Sequence, residues 1–172
     1  MLEGYIASSA DGFVADAEGG VSFLDPYNDG DYGYDAFLDR MDGIVMGRAT
    51  YDQIIGWGID WPYARKECFV VTSSDLAHPP ETVRRWTGSL CSFAAHTGVR
   101  AFWVLGGARL QAGFIASGLL DRLQLFLMPV LLGRGTPLFS HQGAPVGMAL
   151  AGQRAYDNGV VALDYRFAAE AA

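Results

Sequence analysis

The sequence is short of several things at once. In 172 residues it has two cysteines, three histidines and only 12 Lys plus Arg against 19 Asp plus Glu. Cys68 and Cys91 stand outside any C-x-x-C or Cys/His cluster. They read as small buried hydrophobes in a reducing compartment, not as a disulfide or metal framework. His78, His96 and His141 fall in loop-like stretches without metal-ligand spacing, and no G-x-S-x-G elbow is present. A metal centre and a Ser-His-Asp hydrolase are therefore not expected. The net charge of −7 opposes a phosphate backbone and argues against nucleic acid as a partner. The longest apolar stretch, residues 123–132, is too short to span a bilayer and holds Gln124 and Pro129. No charged-then-apolar leader opens the chain, so a cytoplasmic protein without a membrane partner is expected. Internal repeats, low-complexity runs, the G-x-G-x-x-G fingerprint and the G-x-x-x-x-G-K-[ST] phosphate loop are all missing.

What is present is enough apolar material for one core: 51% hydrophobic residues against 18% charged. That balance excludes a disordered chain and predicts one domain over residues 1–172. Residues 4–7, 44–46, 67–72, 101–105 and 123–130 read as buried strands. Residues 34–41 carry Tyr34, Phe37, Leu38 and Met41 at helical spacing, and residues 49–55 and 110–117 also read as helices. Residues 25–33, rich in Asp, Gly and Tyr, read as a loop. Two alternating segments around Asp157-Asn158-Gly159 predict a closing antiparallel hairpin. Strands alternating with helices, then a hairpin, give an α/β fold with a mostly parallel central sheet.

Two glycine turns follow a strand and open a helix. In Met46-Gly47-Arg48-Ala49-Thr50, a helix N-terminus, a fixed cation and a hydroxyl meet, which suits a phosphate as well as it suits an ordinary turn. In Leu105-Gly106-Gly107-Ala108-Arg109, the missing Cβ atoms allow either close approach of a ligand or tight strand–helix packing. Two such turns on one sheet favour an extended dinucleotide across the strand ends. Thr72, Ser73 and Ser74 offer hydroxyls to a ribose or a 2′-phosphate, or form a polar strand exit. Asp11, Asp25, Asp31 and Asp35 are the carboxyls available to grip a substrate or relay a proton. Trp57, Trp61, Pro62 and Tyr63 form an aromatic cluster that either walls a flat ring or packs the core.

The segment from Ile44 to Tyr51 resembles the M-G-R-x-T segment of dihydrofolate reductases, and Val104-Leu105-Gly106-Gly107-Ala108 resembles their Gly-Gly cofactor turn. Ser9-Ala10-Asp11-Gly12-Phe13-Val14-Ala15 resembles the S-x-D-G-x-x-A opening of the reductase domain in the riboflavin-pathway deaminase-reductase. Gly118 to Leu123, continuing into Pro129 to Gly135, resembles that domain's G-L-x-D-E-L…P-x-x-x-G-x-G block. The resemblance runs from about residue 2 to residue 139. It implies a dihydrofolate reductase-like three-layer fold with flanking helices, and NADPH at the strand ends. Mapped by motif, Gly47, Arg48 and Thr50 would meet the adenosine-side phosphates, and Thr72, Ser73 and Ser74 the 2′-phosphate region. Gly106, Gly107, Ala108, Arg109 and Leu110 would cradle the pyrophosphate and nicotinamide side, with a cis peptide between Gly106 and Gly107.

The expected function is an NADPH-dependent reductase that transfers a hydride to a small pterin- or pyrimidine-like heterocycle. The alternative is a non-catalytic protein that keeps the NADPH cleft. Asp11 is the carboxyl expected near the nicotinamide, Asp31 the expected substrate anchor, and Trp57 and Trp61 the expected ring walls. A phosphorylated substrate would need a further cationic pocket, for which Arg65, Lys66 and Arg134 are available. The apolar face of the final hairpin favours a homodimer.

Overall fold

The computed structural model describes residues 1–140 and 143–167, so His141 lies outside the described residues. Ten strands and four α-helices follow one another as β1 (Leu2–Ser9), β2 (Phe13–Ala15), α1 (Tyr34–Asp39), β3 (Gly43–Gly47), α2 (Arg48–Gly56), β4 (Glu67–Val71), β5 (Val83–Trp86), α3 (Leu90–Thr97), β6 (Phe102–Gly106), α4 (Ala108–Ala116), β7 (Arg122–Met128), β8 (Thr136–Pro137), β9 (Met148–Ala155) and β10 (Val161–Phe167). A 3-10 turn over Ser22–Tyr27 precedes α1. Eight strands form one sheet in the order β5-β4-β3-β6-β1-β7-β10-β9, and β2 and β8 pair separately. The pairs from β5 to β7 are parallel, whereas β10 runs antiparallel to both β7 and β9. The closing hairpin turns at Gly159, whose positive φ of 85° suits a residue without Cβ.

The parallel strands read as continuous apolar runs because both faces of the sheet are covered. On one face Val45, Phe69, Phe102, Val104 and Leu125 pack with Phe93 of α3 and Phe114 of α4. On the other, Ile44, Met46, Val70 and Trp103 pack with Phe37 of α1 and Ile54 of α2. Successive strand residues point to opposite faces, so one strand serves both cores and the domain has three layers. The short β2–β8 pair was not expected from the sequence, nor were three further pieces. β5 reads Val-Arg-Arg-Trp, too polar to signal a strand, yet it pairs with β4 through Cys68–Val83 to Val71–Trp86. α3 has a polar face and is started by Ser89, whose hydroxyl accepts from the Ser92 N–H at 3.1 Å. The 3-10 turn over Ser22–Tyr27 cuts into the stretch 25–33 that was read as loop.

Glu3 is fully buried on β1, where a charged residue is rare unless paired. Its carboxylate takes both arms of Arg40, just past α1, at 2.5 and 2.6 Å. The pair ties the α1 layer to the central strand, and removing the cation would leave the carboxylate stranded. Because Arg40 is about one-third exposed, Arg40→Ala should cost about 2–3 kcal/mol, below the usual penalty for breaking a fully buried pair. Urea unfolding followed by circular dichroism measures it, and an unchanged midpoint would mean that Glu3 finds another partner.

Candidate functional site

The two glycine turns meet. β3 and β6 are neighbours, with Met46 aligned to Gly106. Gly47 and Gly107 are the extended N-cap residues of α2 and α4, and neither cap position makes a side-chain hydrogen bond to its helix. A Cβ on Gly47 would stand 3.6 Å from the Gly107 nitrogen, and one on Gly107 would stand 3.3 Å from Thr50 Oγ1. Any larger side chain at either position would fill the space between the turns. Gly106 and Gly107 are joined by a cis peptide, and Gly106 holds φ at +128°, a region that side-chain-bearing residues rarely adopt. Two helix N-termini, with their open N–H groups and positive ends, therefore converge on one glycine-lined spot. Such an arrangement could hold an anionic group such as a pyrophosphate.

Next to this spot, the residues 72–75 leave β4 between two guanidinium groups. Arg48 donates to the Asp75 carbonyl at 3.1 Å and to Asp52 at 2.7 Å. Arg85, on β5, donates to the Asp75 carboxylate at 2.5 Å and to the Ser73 carbonyl at 3.4 Å. A recess of about 410 Å³ opens here, lined by Thr72, Ser73, Arg85, Trp86, Thr87 and Gly88 together with Val71. Both counter-ions are exposed, Asp75 almost completely, so a phosphate could replace them. Sequence reasoning named Arg48, Thr72 and Ser73 for this end but missed Arg85, because β5 itself was missed. Ser74 is exposed and turns its N–H onto Thr72 Oγ1 at 3.2 Å.

Inward from the glycines, a cleft of about 660 Å³ runs along the ends of β1 and β6. Thr50, Gly106, Gly107 and Ala108 form its floor on one side, and Tyr5, Tyr63, Trp103 and Leu105 wall the other. Tyr5 and Tyr63 stand edge-to-face on Trp103, with centroids 6.2 and 5.8 Å away. Burial pushes both phenols well above their ordinary range, Tyr63 the more strongly, so they stay protonated at neutral pH. Trp57 lines the mouth and is half exposed. A second recess of about 690 Å³ adjoins the cleft, sharing Tyr5 and Leu24 with it. The loop after β1 roofs the cleft through Val14, Ala15, Val21 and Leu24, and Gln53 of α2 donates to the Gly19 carbonyl at 3.1 Å. Tyr5, Leu24, Trp103 and Leu105 were not anticipated as site residues. Their only signal was apolar periodicity, which a core produces equally well.

Several expected residues stand elsewhere. Trp61 does not line the cleft: it packs on Tyr51 and Tyr63, at 5.9 and 5.4 Å, and supports the wall from behind. Arg109 is exposed at the start of α4, and Leu110 packs beside Gly47. Asp31 lines the adjoining recess, not the cleft, and its carboxylate accepts from the Gly33 N–H at 2.9 Å.

Asp11 is a loop clamp and lines neither the cleft nor the adjoining recess. Its carboxylate accepts from Ser9 Oγ at 2.6 Å and from the Leu132 and Gly133 N–H groups at 3.1 and 2.7 Å. Those bonds, the Ser9 hydroxyl first, hold the carboxyl below its ordinary range. A group lowered in this way contributes above its unfolded pKa and stops contributing as pH falls through its folded one. Asp11→Ala should therefore speed amide exchange at Leu132 and Gly133 at neutral pH, and the wild type should approach the variant below about pH 4. Equal protection in both proteins at pH 7 would remove the clamp.

The described residues contain no helix long and apolar enough to cross a membrane and no group of three or more His, Cys, Asp or Glu placed to hold a metal ion. Comparison with known proteins fits the geometry. An uncharacterized Bacillus subtilis protein, YwjB, is 31% identical over 160 residues, 91% of this chain and 92% of its own length. A second from the same organism, YyaP, is 28% identical over 94% of this chain and 92% of its own length. A crystal structure of a Shewanella sp. PV-4 protein, provisionally named for riboflavin biosynthesis, superposes with a TM-score of 0.88 at 27% identity, covering 97% of this chain and 98% of that one. The Thermotoga maritima diaminohydroxyphosphoribosylaminopyrimidine deaminase/5-amino-6-(5-phosphoribosylamino)uracil reductase shares the fold, with a TM-score of 0.72 at 16% identity over 98% of this chain and 56% of that one. The family model for the RibD C-terminal domain matches residues 5–162, and the chain belongs to that family, with its riboflavin-reductase-like version of the dihydrofolate reductase fold.

Proposed function

We propose that this protein is an NADPH-dependent reductase acting on a small heterocycle of pterin or pyrimidine type. The observation that carries the reading is the abutment of Gly47 on Gly106-Gly107 at the origin of two helices, beside a hydroxyl loop held between Arg48 and Arg85. In this reading Gly47, Thr50, Gly106, Gly107 and Ala108 receive the pyrophosphate through backbone N–H groups and one hydroxyl. Thr72, Ser73, Arg48 and Arg85 take the 2′-phosphate, and Trp86 with Gly88 bounds the adenosine end. The bound dihydronicotinamide supplies the hydride. The chain supplies position, and an aromatic wall that holds a flat ring in reach and excludes most of the water. The glycine floor leaves open the space that a cofactor's pyrophosphate would occupy.

Calorimetric titration with NADPH and NADH tests the cofactor half. NADPH should bind more tightly, and Arg85→Ala or Arg48→Ala should weaken NADPH by about tenfold, the loss of one hydrogen bond to a charged group, while NADH changes little. Gly107→Val should weaken both. Binding of neither nucleotide would sink the reading, and binding without oxidation by any pterin, pyrimidine or quinone would leave a cofactor-binding protein without the chemistry.

A second copy of the chain is proposed as the partner of β9. That strand has no neighbour on its outer edge among the described residues, and it presents Met148 and Leu150, each at least two-fifths exposed, as an unprotected edge. Light scattering should give a dimer at micromolar concentration and a monomer for Leu150→Lys; a monomeric wild type overturns the dimer.

A further inference from the structure

The charges of this molecule are sorted between the two ends of the cleft. Arg48 and Arg85 stand at the outer end. Among the described residues no Arg or Lys lines the inner cleft or the recess beside it, and the charged side chains there are Glu18 in the cleft and Asp29, Asp31 and Asp35 in the recess. The cations that the sequence offered for a phosphorylated substrate are not available: Lys66 donates to the Met41 carbonyl at 2.6 Å and to the Asp39 carbonyl at 3.3 Å, and Arg65 and Arg134 line neither space. Arg154 is stacked on Tyr156 at 4.6 Å and opens on a different, smaller recess of the sheet.

A phosphate carries between one and two negative charges at neutral pH. Brought to the inner end, it would meet Glu18 in the cleft and three aspartates in the adjoining recess, with no lining cation to offset them, and like charges cost binding energy. A neutral planar ring meets the opposite conditions. Tyr5 is partly buried and Trp57 half exposed, and behind them Tyr63 and Trp103 line the cleft with the small part of their surface that the core leaves open, an apolar aromatic lining that suits a flat ring.

We infer that the hydride acceptor is a planar, conjugated ring bearing a carbonyl or imine and no phosphate, bound against the Tyr5–Tyr63–Trp103 wall, and that the acidic recess excludes phosphoribosylated rings. This rests on the reductase reading. In the reaction the ring carbon gains a hydride, the conjugated oxygen or nitrogen gains a proton from water, and NADPH becomes NADP+; the acceptor is reduced by two electrons.

The test uses the wild-type protein after NADPH binding has been measured by calorimetry, so that failure of cofactor binding counts against the reductase reading and not against this inference. Initial rates of NADPH oxidation are then compared for menadione, a neutral quinone, and for a ribosylaminopyrimidine with and without its 5′-phosphate. The phosphate-free compounds should be reduced, and the phosphorylated one should show a KM at least about tenfold higher than its phosphate-free twin, as expected for like charges near a surface. The difference should shrink in high salt, and in the variant Glu18→Gln/Asp31→Asn/Asp35→Asn. Preference for the phosphorylated compound overturns the inference. So does failure to reduce any phosphate-free compound with NADPH bound, or a KM ratio that neither salt nor the neutralised variant moves.

Discussion

Two neighbouring parallel strands end at the same level, and no side chain stands between the turns that follow them. That constraint organises the rest. Gly47 lies so close to the Gly106-Gly107 peptide that a Cβ built on it would touch the Gly107 nitrogen at ordinary van der Waals distance, so α2 and α4 start from adjacent points at the strand ends and diverge to opposite faces of the sheet. A bare Cβ would be accommodated at Gly47 and, with a small shift of the Thr50 hydroxyl, at Gly107, but a larger side chain at either position would fill the space between the two turns. The strand order adds to this. β6 lies between β3 and β1, so the chain reverses direction across the sheet here, and a crevice opens beyond the strand ends as it does at other topological switch points.

The roof of the crevice depends on a second, smaller device. The two sequence blocks that point most directly to the riboflavin-type reductases, Ser9 to Ala15 and Pro129 to Gly135, turn out to bind each other. Asp11 accepts from Leu132 and Gly133, Ala10 donates to the Val130 carbonyl at 2.9 Å, and Leu138 donates to the Gly12 carbonyl at 2.8 Å. Gly135 closes the contact: it holds φ at +153°, and a Cβ there would fall 2.0 Å from the Ala15 carbonyl oxygen. The acid in that motif acts on the backbone, and its effect on the cleft is indirect, through the position of Val14, Ala15 and Leu24.

Much of this was legible in the sequence where a pattern has a single physical cause. Apolar runs ending in glycine marked β3 and β6, and the Asp157-Asn158-Gly159 turn marked the hairpin, because few other backbones use those residues. The expected cofactor-side positions rest on the same glycines, which the structure brings together at neighbouring strand ends. The substrate side was not legible. Trp57 and Trp61 look alike in sequence, yet one lines the cleft and the other packs on Tyr51 and Tyr63; the difference is set by a tertiary contact that no local pattern carries. Arg85 was hidden in a strand of four residues with two cations, and the bonds of Asp11 to Ser9, Leu132 and Gly133 were not legible because a carboxylate that caps backbone N–H groups is indistinguishable in sequence from one that moves a proton.

The source of that proton follows from the wall itself. Glu18 is the one carboxyl that lines the cleft, and it is exposed. Tyr5 and Tyr63, raised by burial, are reluctant to release a proton near neutral pH, and a group far from the working pH is a weak general acid or base. A reduction carried out here would thus draw its proton from water entering past Trp57, and rate enhancement would rest on holding the ring against the hydride donor. On the proposed reading, such a site would tolerate variation in the acceptor's hydrogen-bonding groups and would be strict about its charge and flatness, since the wall would set the second and the acidic recess the first.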